Sequence, residues 1–417
     1  MTGVTVYVAL DGHDVLAGTL YSHRRRGTES ATYAYAPTYL ATPGAYALDP
    51  ELPLTSGTHQ TRVGRALFGA LTDSAPDRWG RTLVTRREAA LARVEGRAPR
   101  ALAEIDYLLG VRDDLRQGAL RFRVGTGPFL ADDDAGVPAL TDLPALLELA
   151  ARADSDTADL PDLQRLVRVG SSLGGARPKA HVLDRNGRVA IAKFPSANHD
   201  TWNVMAWEKV ALDLAERAGI DVPPSRLLHL AGRSVLIVDR FDRDSTGHRI
   251  GYVSAMTMLE ASDGEQRSYL EIAEVVETAS VRATEELRQL WRRIVFSVLI
   301  SNTDDHLRNH GFLHERGDVW RLAPAFDLNP NPAPGPKYLS TAIDDISDTA
   351  SLASALAVAE HFRLSDTQAR AALREVGVAV SGWREVAGQH GLTPSEIAAM
   401  ESAFTAGDDA AALTGSG

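Results

Sequence analysis

The apolar positions change rhythm near residue 256. Before it they come in short, β-rich bursts, and after it they recur at helical spacing. Val4-Thr5-Val6-Tyr7-Val8 has strand composition, and Asp11-Gly12 is a hairpin signal ahead of Val15 to Tyr21. Tyr33-Ala34-Tyr35 and Gly118 to Phe122 read as further strands. A helix is expected over Asp77 to Arg93, with Pro76 placed to begin it. Val167 to Gly175 reads as a strand running into a glycine turn. Val189 to Phe194 is a strand whose period-two alternation puts Lys193 on the face of Val189 and Ile191. Thr201 to Ala218 reads as a helix closed by Gly219, and Val235 to Val238 as a strand. Leu287, Leu290, Trp291, Ile294 and Val298 mark one buried face of a long helix. Ser365 to Gln368 and Thr393 to Glu396 are capping boxes. The last residues, Gly407 to Gly417, are expected to fray.

This pattern divides the chain into a β-rich N-terminal subdomain (1–125), an α+β nucleotide-binding lobe (144–255) and an all-helical lobe (256–406). The Gly-, Pro- and Asp-rich stretch 125–142 is the linker candidate. Composition is ordinary for a globular chain, at 44% hydrophobic and 24% charged. There is no apolar run long enough for a membrane span and no secretory signal pattern at Met1 to Tyr7. With no cysteine there is no disulfide, thiolate nucleophile or Cys-ligated metal, which fits a cytoplasmic protein. A net charge of −11 argues against direct coating of nucleic acid.

The chemistry concentrates in two segments. Asn302-Thr303-Asp304-Asp305-His306-Leu307-Arg308-Asn309 sets Asp304 and Asn309 at the D-x-x-x-x-N spacing of a protein-kinase catalytic loop, and Pro324-Ala325-Phe326-Asp327 follows. Asp304 is the candidate base, and Asn309 and Asp327 offer the oxygen ligands that Mg²⁺ prefers. Lys193 is the candidate phosphate contact, with Glu208 available to orient it. Gly170 to Lys179 matches neither usual phosphate motif, since Ala176 stands where a P-loop has lysine. Its adjacent glycines, Arg177 and Lys179 still suit a phosphate cradle, while a plain hairpin turn is the competing reading. An Asp–Asn pair in a loop also serves as a turn or cap. His306 and His310 could be metal ligands of a hydrolase, but Leu307 stands where a zincin helix needs Glu.

Together these segments resemble the HipA family of bacterial serine/threonine-protein kinases, the toxin halves of toxin–antitoxin pairs. The matching pieces are Ser172 to Lys179, Ala192-Lys193-Phe194, Asp239 to Arg243, Asn302 to Asn309 and Leu322 to Asp327, with Asp73 to Gly80 as the clearest N-terminal segment. The resemblance implies an α+β, two-lobed atypical protein-kinase-like fold that uses ATP and Mg²⁺. It implies that Gly174, Gly175, Ala176, Arg177, Pro178 and Lys179 form the ATP loop, that Lys193 binds phosphate, and that Asp239, Arg240 and Phe241 border the adenine, mostly through backbone. Asp304 would be the catalytic base, His306, Leu307, Arg308 and Asn309 would line the phosphate and metal site, and Phe326 and Asp327 would close it. Ser172 matches the family's autophosphorylation position, and Ser171 is its neighbour. The implied partners are a helix-turn-helix, HipB-like antitoxin that binds the DNA and a translation-related target such as glutamyl-tRNA synthetase. A catalytically silent co-repressor and a small-molecule or lipid kinase are the alternatives.

Overall fold

The computed structural model describes residues 3–130, 136–170, 175–196 and 198–406. The chain divides into two compact units. The first comprises 1–199, 239–253 and 313–318, and the second 200–238, 254–312 and 319–417. The N-terminal β-rich segment therefore shares a unit with residues 144–199 and 239–253 of the expected nucleotide lobe, whose residues 200–238 and 254–255 belong to the second.

In the first unit, β1 (Gly3–Leu10), β2 (His13–Arg25), β3 (Thr28–Tyr35), β4 (His59–Gln60) and β5 (Leu120–Val124) form an antiparallel sheet in the order β4-β3-β2-β1-β5. Asp11 and Gly12 both take positive φ, 48° and 78°, the backbone that lets a two-residue turn follow the strand twist. Val4, Val6, Val8, Leu20, Tyr33 and Phe122 bury one face of this sheet. The helix Arg78–Val94 starts where Pro76 and Asp77 place it, with the Asp77 carboxylate accepting from Gly80 N at 2.7 Å. The expected strand at Val167 is instead the end of a helix, Leu160–Gly170. Val167-Arg168-Val169 imitates alternation over three residues. Leu163, Leu166, Val167 and Gly170 are buried at the spacing of a helical stripe, and the longer period wins. A further helix spans Leu143–Asp154. β6 (Lys179–Leu183) and β7 (Val189–Lys193) then form a hairpin.

A buried polar knot ties distant parts of this unit. Arg240 donates to the carbonyls of Leu115 and Arg116 at 2.6 and 3.0 Å and to Asp242 Oδ1 at 2.8 Å. Asp242 also accepts from Gly118 N at 2.8 Å, and its carboxyl is held well below the usual range because the Arg240 and Arg243 charges outweigh burial. His181, fully buried, has Nδ1 2.9 Å from the Val169 carbonyl and Nε2 3.3 Å from Arg240 Nη1. These contacts fix the neutral tautomer with its proton on Nδ1.

The second unit is mainly helical. The helix Val204–Arg217 closes with Gly219 at φ 70°, whose N–H and that of Ile220 bond back to Glu216 and Ala215 at 3.0 and 2.9 Å. β8 (Ser225–Leu230) and β9 (Arg233–Asp239) form the next hairpin. The helix Ala283–Leu299 buries the stripe expected of it, and Trp291 donates its indole N–H to Ala355 O at 2.8 Å. Trp383 stacks on Phe404 at 4.3 Å, with Trp207 tilted against both. Ser365 and Thr393 cap their helices through capping boxes. The run expected to be all-helical is interrupted by two strands, Gly311–Arg316 and Val319–Leu322, whose Phe312, Leu313, Val319 and Trp320 suit a strand and which meet across Gly317 at φ 50°. Gly407 to Gly417, the expected frayed end, lie outside the described residues. Among the described residues no helix is long and apolar enough to cross a membrane.

The buried His181 makes the first unit acid-sensitive. Burial, and then the Arg240 charge, push its imidazole down to about 3, so the folded chain refuses a proton that the unfolded chain binds below about pH 6.5. Stability is therefore expected to be full above pH 6.5 and to fall as the pH drops from there toward 3. Denaturant melts against pH check this, and His181→Gln should flatten that limb.

Candidate active site

The catalytic-loop segment begins with the way its helix ends. Ser301 takes a left-handed φ of 53° just past Ala283–Leu299, its N–H bonds to Val298 O at 3.2 Å, and Asn302 N reaches Ser297 O at 2.8 Å. This is a Schellman-type stop with serine where glycine is usual. It turns the chain sharply and drives Asn302 into the core, where it is fully buried. Asn302 Oδ1 accepts from Asn329 N at 3.2 Å, and Asn331 donates from its backbone to Ser301 O at 3.2 Å and from its amide to Thr303 Oγ1 at 2.7 Å. The Asn302–Asn309 loop and the Phe326-Asp327 loop are thus laced together.

The two adjacent aspartates part company here. Asp305 is buried, and its carboxylate accepts from the Tyr269 hydroxyl and from Ser297 Oγ at 3.1 Å, with His310 Nε2 at 3.2 Å. Burial alone would push its pKa up, yet the His310 charge and these hydrogen bonds prevail and hold the carboxyl below its ordinary value. Tyr269 is pushed well above the usual phenol range by burial and by the Asp305 charge. Asp304, by contrast, is exposed. One carboxylate is committed to holding the loop and its neighbour is presented to solvent.

Asn309 is buried and donates its amide N–H to Asp304 O at 3.0 Å, an orientation that leaves Oδ1 as the end a cation would take. Asp327 takes a left-handed φ of 59°, and Asn329 donates to its backbone and carboxylate oxygens at 3.1 and 3.4 Å. A non-glycine residue in that region stores roughly 1–3 kcal/mol of strain, a common feature of ligand-holding sites. Leu307 to Asn309 form a 3-10 turn, so His306 and His310 do not share a face of an α-helix; His310 packs edge-on to Tyr269 instead. Leu307 is buried, Arg308 is half-buried and paired with Asp263, and Phe326 is half-buried. Among the described residues no group of three or more His, Cys, Asp or Glu gathers as a metal cage. One amide oxygen and one carboxylate form a donor set that fits Mg²⁺, which takes few protein ligands and completes its shell with water and phosphate oxygens.

The phosphate-binding candidates lie in the first unit. Lys193 ends β7, half-buried on the face of Val189 and Ile191, while Ala190 and Ala192 are buried on the other. Gly175 and Ala176 are exposed, Arg177 is half-buried, and Pro178 and Lys179 are buried. Ser171, Ser172 and Gly174 lie outside the described residues. Asp239 ends β9 with Arg188 at 3.4 Å, and Phe241 lies 6.2 Å from Tyr252 between ring centres. The Arg240 side chain is consumed by the buried knot, so only its backbone remains for a ligand. Glu208 is buried on Val204–Arg217 in the second unit.

Sequence reasoning missed the residues that hold the loops: Asn302, Asn329 and Asn331 between them, and Tyr269, Ser297 and His310 around Asp305. The doubled Asp304-Asp305 was the available signal, because two adjacent carboxylates rarely share one environment.

A family model described as HipA-like C-terminal domain matches residues 171–383, just over half of the chain. A Haemophilus influenzae protein named "Putative kinase" is 29% identical over 135 residues, covering 29% of this chain and 39% of the relative. "Putative kinase Y4mE" of Sinorhizobium fredii is 26% identical over 183 residues, covering 38% and 41%. The matched stretch spans about two fifths of the length of these curated relatives. The solved complex of the Shewanella oneidensis MR-1 toxin–antitoxin system, HipA and HipB with operator DNA, contains a chain similar to this one over 97% of both, at TM-score 0.64 and 16% identity. That likeness is one of fold, α+β and protein-kinase-like. With the family model spanning half its length and the catalytic-loop segments assembled as described, the chain belongs to the HipA family.

Proposed function

We propose that this protein is an ATP- and Mg²⁺-dependent serine/threonine-protein kinase that acts as the toxin of a toxin–antitoxin pair. The observation that carries the reading is the division between the two aspartates: Asp305 is locked inward by Tyr269, Ser297 and His310, and Asp304 is exposed on the same laced loop as Asn309. In this reading Asp304 takes the proton of the substrate hydroxyl as its oxygen bonds to the γ-phosphorus and the bond to the departing ADP oxygen breaks. Asn309 and Asp327 would hold the metal ion, which would neutralise charge on the phosphates. Lys193 and the exposed backbone of Gly175 and Ala176 are assigned to the nucleotide phosphates. Ser172 is assigned to autophosphorylation, and a helix-turn-helix antitoxin to partnership, as HipB accompanies HipA in the Shewanella complex. Glutamyl-tRNA synthetase is the target the family suggests.

Incubation with labelled ATP and Mg²⁺ is expected to mark the protein at Ser172, read by peptide mass spectrometry against Ser171. Asp304→Ala should lower transfer by at least about 10²-fold with an unchanged melting temperature. Labelling that survives this substitution removes Asp304 from the role of base. Transfer to a metabolite or lipid alone would favour a small-molecule kinase, and absence of ATP binding a silent co-repressor.

The two aspartates should also separate by stability. Tyr269→Phe deletes one hydrogen bond to a buried carboxylate and is expected to cost about 1.5–3 kcal/mol of stability in denaturant melts. Its activity should fall less than that of Asp304→Ala. The opposite order would mean that the loop is held by something other than Asp305.

A further inference from the structure

Lys179 belongs to the segment assigned to nucleotide phosphates, yet its ammonium is already engaged. It lies 2.6 Å from Asp77 Oδ2, and both side chains are nearly buried, at 4% and 6% exposed. The other oxygen of Asp77 caps the helix Arg78–Val94 through Gly80 N. Two residues along, Trp79 holds both ends of the same segment. Its backbone N–H donates to Gly175 O at 3.4 Å, and its indole N–H donates to Lys179 O at 3.3 Å. Gly170 is shaped to the same contact: a Cβ there would stand 2.6 Å from Lys179 O and 3.4 Å from the Trp79 indole nitrogen.

The register of the hairpin adds a second constraint. Lys179 and Lys193 are direct cross-strand partners in β6 and β7. Like charges directly opposite one another on a sheet repel. Asp77 neutralises one member of this pair. For Lys179 to reach a phosphate it would have to break a buried 2.6 Å ion pair with Asp77, a costly change for a folded chain.

We propose that Asp77, supported by Trp79, is a positioning residue of the nucleotide loop. It fixes Lys179 as a structural clasp, so that the Gly175-Ala176 backbone is presented for phosphate and Lys193 alone of the two opposed lysines carries charge to it. The N-terminal helix Arg78–Val94 is then part of the nucleotide-binding apparatus. This proposal rests on the ATP-dependent reading above.

The test uses the full chain and a fluorescent ATP analogue. Asp77→Asn and Lys179→Gln should each weaken binding at least about fivefold, as disrupted coupled pairs do, raising KM for ATP more than they lower kcat. The double variant Asp77→Asn/Lys179→Gln, in which neither charge is stranded, should bind closer to wild type than either single one. Trp79→Phe, a milder change should the charged variants fail to fold, is expected to weaken binding in the same direction. The proposal is overturned if Lys179→Gln loses binding while Asp77→Asn keeps it, or if the double variant is no better than Lys179→Gln, because Lys179 would then touch phosphate itself. Amide hydrogen exchange over residues 175–183 reads the clasp without nucleotide: faster exchange in each single variant and recovery in the double one are expected, and unchanged exchange in the singles refutes it. Were wild type to bind no ATP, the kinase reading would fail while the exchange experiment still decided the clasp.

Discussion

The arrangement of the candidate active-site loops depends on how one helix stops. Ala283–Leu299 could run on only by carrying Asn302 and Asp305 to positions set by helical geometry; instead Ser301 turns left-handed and both residues are swept into the core. Buried polar groups are tolerated only when satisfied, since an unpaired one costs about 1–3 kcal/mol or more. The surroundings meet that demand with Ser297, Tyr269, His310 and Asn329. The strain at Ser301 is therefore offset by the network it makes possible, and the network fixes where Asp304 and Asn309 stand.

Much of this was legible in the chain. The D-x-x-x-x-N spacing, the Lys193 strand, the apolar stripe feeding Asn302 and the turn at Asp11-Gly12 are local signals, governed by periodicity and by backbone preferences that act over a few residues. What escaped was of two kinds. Val167-Arg168-Val169 was too short to distinguish a period of two from one of 3.6, so a helix read as a strand. The strands at Gly311–Arg316 and Val319–Leu322 were hidden in a region whose neighbours are strongly helical. The second kind is long-range: Asn302 meets Asn329, Lys179 meets Asp77 and Arg240 meets Leu115, pairings that no local pattern encodes.

Arg240 illustrates the consequence. The resemblance puts Asp239-Arg240-Phe241 beside the adenine mostly through backbone, and the five hydrogen bonds that absorb the Arg240 guanidinium within the fold suit that approach. A motif preserves the identity of a residue without stating whether its side chain or its backbone matters. Here the side chain builds the platform, and in the proposed function only the main chain is left to meet a nucleotide.

The same division recurs wherever this chain doubles a charge. Asp304 and Asp305 are neighbours in sequence, Lys179 and Lys193 are neighbours across a hairpin, and in each pair one member is buried and partnered. Burying both would require two sets of compensating partners in one place, and exposing both would leave the loop or hairpin without an internal anchor. One buried charge fixes the backbone, and that fixed backbone sets the direction of the other. Spacing in a sequence identifies such a pair but treats its members alike. Only the environment, hydroxyls and an imidazole around Asp305 and a capping carboxylate against Lys179, assigns the anchor in each pair.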